Sequence, residues 1–160
     1  MTISIGERMP AGTFKIMGEK GPTDLGSAEL FGGKRVVLFA VPGAFTPTCD
    51  ARHLPGYLEH FDALKAKGID TIACLAVNDV FVMNAWGKAG NALGKVLMLA
   101  DGNGEYTRAL GLELDARGFG MGERAKRFAM LIEDGVVRQL HVEAPGQFKV
   151  SAADYVLAQL

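Results

Sequence analysis

Two largely apolar runs, Arg35–Val41 and Ile69–Val77, constrain the fold more than any other feature of the chain. Neither alternates apolar with polar residues. The first is continuous and therefore reads as a strand covered on both faces, as in a parallel sheet, and the second reads as a further apolar strand. Between them Leu54, Tyr57, Leu58, Phe61 and Leu64 recur at helical spacing and form a buried stripe. Thr48 is placed to cap this helix and Gly68 to end it. Pro55 falls inside the pattern, where it removes a backbone donor and crowds the preceding turn, so a kink is expected there. Strand, helix and strand together form one crossover unit.

The remaining segments extend that unit. Asn78-Asp79 cap a helix over Val80–Ala92, and a third strand, Val96–Leu99, closes at Asp101-Gly102-Asn103-Gly104. A short helix, Glu105–Leu110, follows, then a glycine-rich loop over Asp115–Glu123. Phe128–Ile132 and Val136–His141 flank Glu133-Asp134-Gly135, a strong hairpin signal. Ser151, with Asp154 three residues on, resembles a capping box opening a last helix to Leu160. Upstream, Thr13–Met17 reads as a short strand, Gly21-Pro22 as a turn and Ser27–Phe31 as one helical turn. Met1–Lys34 is expected to cover a sheet edge and to carry no chemistry. The order predicts an α/β sandwich with a central mixed sheet flanked by helices, thioredoxin-like rather than flavodoxin-like. A flavodoxin-like sheet would need parallel strands where the hairpin stands. One domain over residues 1–160 is expected.

Net charge is −1 and no basic block occurs, which argues against a nucleic-acid partner. No apolar run approaches membrane-spanning length, and Met1–Pro10 has no apolar signal core. The two cysteines, Cys49 and Cys74, form no CxxC pair. A disulfide scaffold and a zinc site are both disfavoured, and a reducing, cytoplasmic setting is expected. His53, His60 and His141 show no metal spacing, and neither metal nor organic cofactor is expected.

The stretch Val41-Pro42-Gly43-Ala44-Phe45-Thr46-Pro47-Thr48-Cys49 joins the first buried strand to its helix. It places a thiol in the helix's first turn, where backbone N–H groups lack partners and the dipole is positive. Proline, three residues, threonine, two residues, cysteine resembles the active-site pattern of the peroxiredoxins. The run continues through Arg52-His53-Leu54-Pro55-Gly56. Further matches are Ala63–Gly68, Val77-Asn78-Asp79 with Phe81-Val82, Trp86-Gly87 and Lys126-Arg127-Phe128. They keep the order of the atypical type II, or class five, branch from about residue 30 to 140. The resemblance implies a thioredoxin-like fold and a thiol peroxidase acting on hydrogen peroxide and organic hydroperoxides. It also implies that Cys49 is the peroxidatic cysteine and that Pro42, Thr46 and Arg127 complete the site.

Chemistry gives the same residues a reason. A free thiol with a pKa of about 8.5 is roughly 3% ionised at neutral pH, and a shift to about 6 raises the thiolate about thirtyfold. Nucleophilicity falls roughly tenfold over the same shift, so ionisation alone yields only a few-fold gain. Donors aimed at the transferring oxygen must supply the rest. The Cys49 N–H, the Thr46 hydroxyl and the Arg127 guanidinium are the candidates, with Pro42 shielding the sulfur. Taken singly, Cys49 reads as a small buried hydrophobe, Pro42 and Thr46 as turn formers, and Arg127 as a surface charge. Taken jointly they read as a site. His53, one turn beyond Cys49, is expected to pack or orient the helix, since no orienting partner is evident. His60 and His141 read as surface or satisfied structural histidines.

Cys74 sits mid-strand and matches a cysteine common in the family, which makes it a possible resolving residue. It lies three residues, roughly 10 Å, from its strand's end, so a bond to Cys49 would need local unfolding. The Lys149-Val150-Ser151 segment offers no second thiol. Glutathione with glutaredoxin, or thioredoxin, is therefore the expected reductant. Phe119, Met121 and Phe45 are candidates for an apolar substrate entrance. A homodimer is implied, with Phe45 and Trp86 as contacts. The rival readings are a peroxide-sensing thiol switch and a holdase.

Overall fold

The computed structural model describes residues 1–160. Its centre is a seven-stranded mixed sheet. In chain order the strands are β1 (Thr13–Gly18), β2 (Gly21–Gly26), β3 (Arg35–Ala40), β4 (Thr71–Ala76), β5 (Val96–Ala100), β8 (Phe128–Glu133) and β9 (Val136–Val142). Across the sheet they run β2-β1-β5-β4-β3-β8-β9. The strands β3, β4 and β5 are parallel, and β8 lies antiparallel against β3. This is the mixed, thioredoxin-like sheet the element order predicts, and the expected hairpin supplies its antiparallel side. Asp134 (φ 47°) and Gly135 (φ 78°) both take positive φ at the β8–β9 turn, as a tight two-residue hairpin requires.

Alternation along β3 explains its unbroken apolar sequence. Val37, Phe39 and Val41 face one buried layer, with Tyr57, Leu64, Met83 and Trp86. Val36, Leu38 and Ala40 face a second, with Phe14, Phe31, Tyr106 and Leu110. The helices α2 (Leu54–Glu59), α3 (Phe61–Ala66), α4 (Val80–Ala89) and α6 (Ala153–Ala158) cover the first face. On the second face lie α1 (Ser27–Phe31) and α5 (Glu105–Leu110). No helix is long and apolar enough to cross a membrane.

Several local expectations are corrected. The N-terminal region extends the sheet by two strands rather than merely covering an edge. Its turn falls at Glu19-Lys20, and Pro22 sits in edge strand β2, where its missing donor costs no ladder bond. The glycine-rich loop is as expected, but two short paired strands flank it, β6 (Glu113–Asp115) and β7 (Glu123–Ala125), with a single 3₁₀ turn between them. Ser151 caps nothing. The Ala152 N-cap of α6 receives no side-chain bond, and the Ser151 hydroxyl donates to Glu143 instead. The Asp79 cap is as expected, its carboxylate accepting from the Val82 N–H at 2.8 Å.

The helix after β3 is neither continuous nor simply kinked. Cys49–His53 form a π turn, Leu54–Glu59 an α-helix, and a break at His60 precedes α3. Pro55 is the physical cause. It has no N–H to give and its ring crowds the turn before it, so the chain widens there, and the Leu54 N–H reaches the carbonyl of Cys49.

Candidate active site

Parallel strand β3 delivers the chain to a loop at its C-terminal end, and the loop is pinned from three sides. The Ala44 N–H donates to Asn78 Oδ1 at 2.9 Å. Arg124, on β7, donates from Nε to the Met121 carbonyl at 2.8 Å and from Nη1 to the Pro42 carbonyl at 3.4 Å. The Trp86 indole N–H donates to Asp50 Oδ1 at 2.9 Å, fixing the π turn. A Cβ on Gly43 would lie 3.0 Å from Thr46 Cγ2 and 3.2 Å from Arg124 Nη1, which is why glycine stands there. Phe45 adopts φ 63°, a strained conformation for an aromatic residue. Thr48 is helical and makes no cap.

Cys49 opens the π turn and is fully buried. The first backbone bond of this helix runs from the Asp50 N–H to the Thr46 carbonyl at 2.8 Å, so the Cys49 N–H lies one position ahead of the ladder. Arg127 arrives from 78 residues away, just ahead of β8, and its Nη2 donates to Cys49 Sγ at 3.1 Å. The Thr46 hydroxyl spends its single proton on the Gly43 carbonyl at 2.7 Å. Towards an incoming group it therefore offers lone pairs rather than the donor expected from sequence. Pro42 is half-buried beside these residues.

The same arginine holds His53. Its Nη1 donates to His53 Nδ1 at 2.8 Å, while His53 Nε2 lies 3.0 Å from the Ser151 carbonyl. A guanidinium only donates and a carbonyl only accepts, which fixes the neutral tautomer with its proton on Nε2. Burial, and then the Arg127 charge, push the His53 pKa down to about 3, against a smaller upward pull from the Ser151 bond. The orienting partners that the sequence does not reveal are therefore Arg127 and Ser151. Phe148, also missed, stands edge-on to His53 at 5.0 Å, with the Arg52 guanidinium 4.6 Å from its ring centre.

Cys74 lies in register with Phe39, buried in the same layer as Cys49, and both cysteines are free. Burial first, then the neighbouring Cys49, push its thiol well above the usual range, with Arg127 opposing. It is held as a neutral thiol in the core.

Of the three proposed entrance residues, Met121 reaches the site. Its Cε would lie 3.4 Å from a Cβ on Gly43. Phe45 is half-exposed at the loop, whereas Phe119 stands in solvent at 85% exposure. Trp86 is fully buried, so it is a core residue and not a dimer contact. A cavity of about 490 Å³ lies away from this chemistry, against Phe61, Lys65, Leu93 and Lys95. His141 is a satisfied structural histidine, with Nε2 bonded to Gln139 Oε1 at 3.0 Å.

A buried thiol beyond a central parallel strand of a thioredoxin-like sheet, met by an arginine that just precedes a strand distant in sequence, defines a thiol-based redox protein. The family model described as Redoxin matches residues 4–157. Peroxiredoxin-2B of Arabidopsis thaliana is 48% identical over 159 residues, covering 99% of this chain and 98% of the relative. Reduced Prx3 of Vibrio vulnificus, solved in complex with hydrogen peroxide, superposes with a TM-score of 0.95 at 54% identity, covering 99% of both chains. Its oxidised form superposes at 0.92 with 55% identity, covering 99% of this chain and 100% of that one. The chain belongs to the peroxiredoxins, the thiol-dependent peroxide reductases.

Proposed function

We propose that this peroxiredoxin is of the type II, class five kind, reducing hydrogen peroxide and organic hydroperoxides through a Cys49 sulfenic acid that an external thiol resolves. The observation carrying this reading is the 3.1 Å contact between the Arg127 guanidinium and the Cys49 sulfur. The Cys49 thiolate attacks one peroxide oxygen, an S–O bond forms as the O–O bond breaks, and the leaving oxygen departs as water or alcohol with a proton. Arg127 and the Cys49 N–H face the charge that develops on those oxygens. Thr46 accepts from the peroxide hydroxyl, its own proton being held by Gly43. Pro42 limits water at the sulfur. The peroxide bound to the Vibrio relative supports the substrate class.

A thiol from glutathione, with glutaredoxin, or from thioredoxin then attacks the sulfenic sulfur. Water leaves, and a second thiol displaces Cys49 from the mixed disulfide. Cys74, buried and held neutral, is poorly placed to act first. Stopped-flow oxidation by hydrogen peroxide tests the reading. A fast second-order reaction is expected, and a rate no greater than that of a free thiol would refute it in favour of a slow thiol switch. Glutaredoxin with glutathione, against thioredoxin, then separates the reductants. A homodimer through the loop carrying exposed Phe45 is proposed as well. Sedimentation of the reduced protein showing only monomer at high micromolar concentration would reject it.

A further inference from the structure

The peroxidase reading uses Cys49, Thr46, Pro42 and Arg127 but leaves unexplained a fully buried histidine in direct contact with that arginine. His53 is not a base for the thiol. Its lone pair, on Nδ1, points at a guanidinium, and its proton, on Nε2, points at a carbonyl. What it offers is an uncharged acceptor at a fixed place. A guanidinium is a rigid planar fork. With Nη1 held by His53 at 2.8 Å, the orientation of Nη2, 3.1 Å from the sulfur, is fixed with it.

The histidine is itself held by a closed circuit of bonds. The Ser151 carbonyl accepts from His53 and also from the Tyr57 hydroxyl at 2.8 Å. Ser151 donates its N–H and hydroxyl to Glu143 Oε2, at 2.9 and 2.7 Å, and the Lys149 N–H donates to the same oxygen at 2.6 Å. The Glu143 N–H donates to the Arg127 carbonyl at 3.0 Å, which returns the circuit to the arginine it began with. Phe148 covers it, 5.8 Å from the Arg127 guanidinium.

We propose that His53 is a positioning residue for peroxide reduction, aiming Arg127 at Cys49, and that the Glu143–Ser151 segment sets the tautomer that lets it do so. The proposal rests on Cys49 being the thiol that meets peroxide.

The test uses the full chain with His53→Phe, which keeps an aromatic ring and loses both polar contacts, and His53→Gln, which restores an acceptor and a donor. Each is made alone and with Arg127→Ala. Hydrogen peroxide reduction, Cys49 alkylation by iodoacetamide at saturating pH, and thermal midpoint are measured. H53F is expected to slow peroxide reduction on the order of 10–100-fold, the scale of a misplaced catalytic group. H53Q should recover most of that loss, alkylation should change little, and H53F should cost nothing further once Arg127 is gone. A wild-type rate in H53F overturns the proposal. So does a full additional loss in the R127A background, or equal slowing of both reactions in step with the thermal midpoint. Should H53F not fold, His53→Asn, too short to span both partners, supplies the same contrast with H53Q. A wild-type protein that does not react with peroxide refutes the peroxidase reading, and the proposal with it, through a separate arm of the experiment.

Discussion

Acidification tests the neutral state of His53 directly. In the unfolded chain its imidazole titrates near 6.5, whereas in the folded protein burial and the Arg127 charge hold it down to about 3. Above pH 6.5 both states carry the neutral ring, and this residue contributes no pH dependence. Below that, the unfolded chain takes up a proton that the folded protein refuses. Stability then falls by about 1.4 kcal/mol per pH unit until the folded form protonates near pH 3. Between pH 7 and pH 5 the loss amounts to about 2 kcal/mol. The assay is urea unfolding of wild type and His53→Phe at both pH values. His141, which burial also shifts downward, and the carboxylates are common to both proteins, so they cancel in the difference. Wild type should lose about 2 kcal/mol more than the variant over this range. Equal losses would refute the assignment, as would an imidazole proton resonance of His53 that titrates near pH 6.5 in the native protein.

Arg127→Ala should slow peroxide reduction by about 10²–10³ at saturating thiolate, the usual cost of one preorganised donor, and a wild-type rate in stopped flow would deny it that role. Cys49→Ser should abolish turnover, while Cys74→Ser should keep most activity and lose about 1–3 kcal/mol of stability by placing a hydroxyl in an apolar layer. If peroxide treatment instead yields a dominant Cys49–Cys74 bond on peptide mapping, Cys74 is the resolving residue. Burial pushes the Glu143 carboxyl up, but the bonds from Ser151, Lys149 and Val150 outweigh it and hold its pKa below the ordinary value. Its stabilising effect is therefore present above about pH 4.5 and lost as the pH falls through the folded pKa. Glu143→Gln should be destabilised at pH 7, by a margin that shrinks in acid denaturation below about pH 4.5.

What was legible in the sequence was what is local. The unbroken run of β3 announces burial on both faces, because successive side chains enter opposite layers and both layers are apolar. The Asp79 cap and the Asp134-Gly135 turn are written in two or three adjacent residues. The loop from Pro42 to Cys49 is equally compact, so the thiol and its threonine were legible together. Arg127 was visible only through family resemblance, since nothing in its own neighbourhood distinguishes it from a surface charge. Ser151 misled for the opposite reason. Its spacing to Asp154 imitates a capping box, but a carboxylate eight residues upstream, Glu143, competes for its hydroxyl and wins at 2.7 Å. Phe119 and Trp86 exchange their expected settings because exposure is decided by the tertiary layer each reaches, not by hydrophobicity alone.

The π turn ties the legible and illegible parts together. Pro55 is an obvious irregularity in the sequence, and its expected effect was a kink. The chain instead widens one turn earlier, over Cys49–His53. In an α-helix, residues four apart share a face only approximately. In this widened turn both Cys49 and His53 lie within hydrogen-bond reach of one guanidinium, at 3.1 and 2.8 Å. The proline thus acts on the site without touching it. It releases the backbone from the α ladder where the proposed nucleophile and the proposed positioning histidine face a common partner. Replacing Pro55 with alanine would restore the missing donor and permit α geometry. If the turn matters in this way, Pro55→Ala should be as stable as wild type or more so, yet slower with hydrogen peroxide. A variant that is more stable and equally fast would separate the π turn from the chemistry.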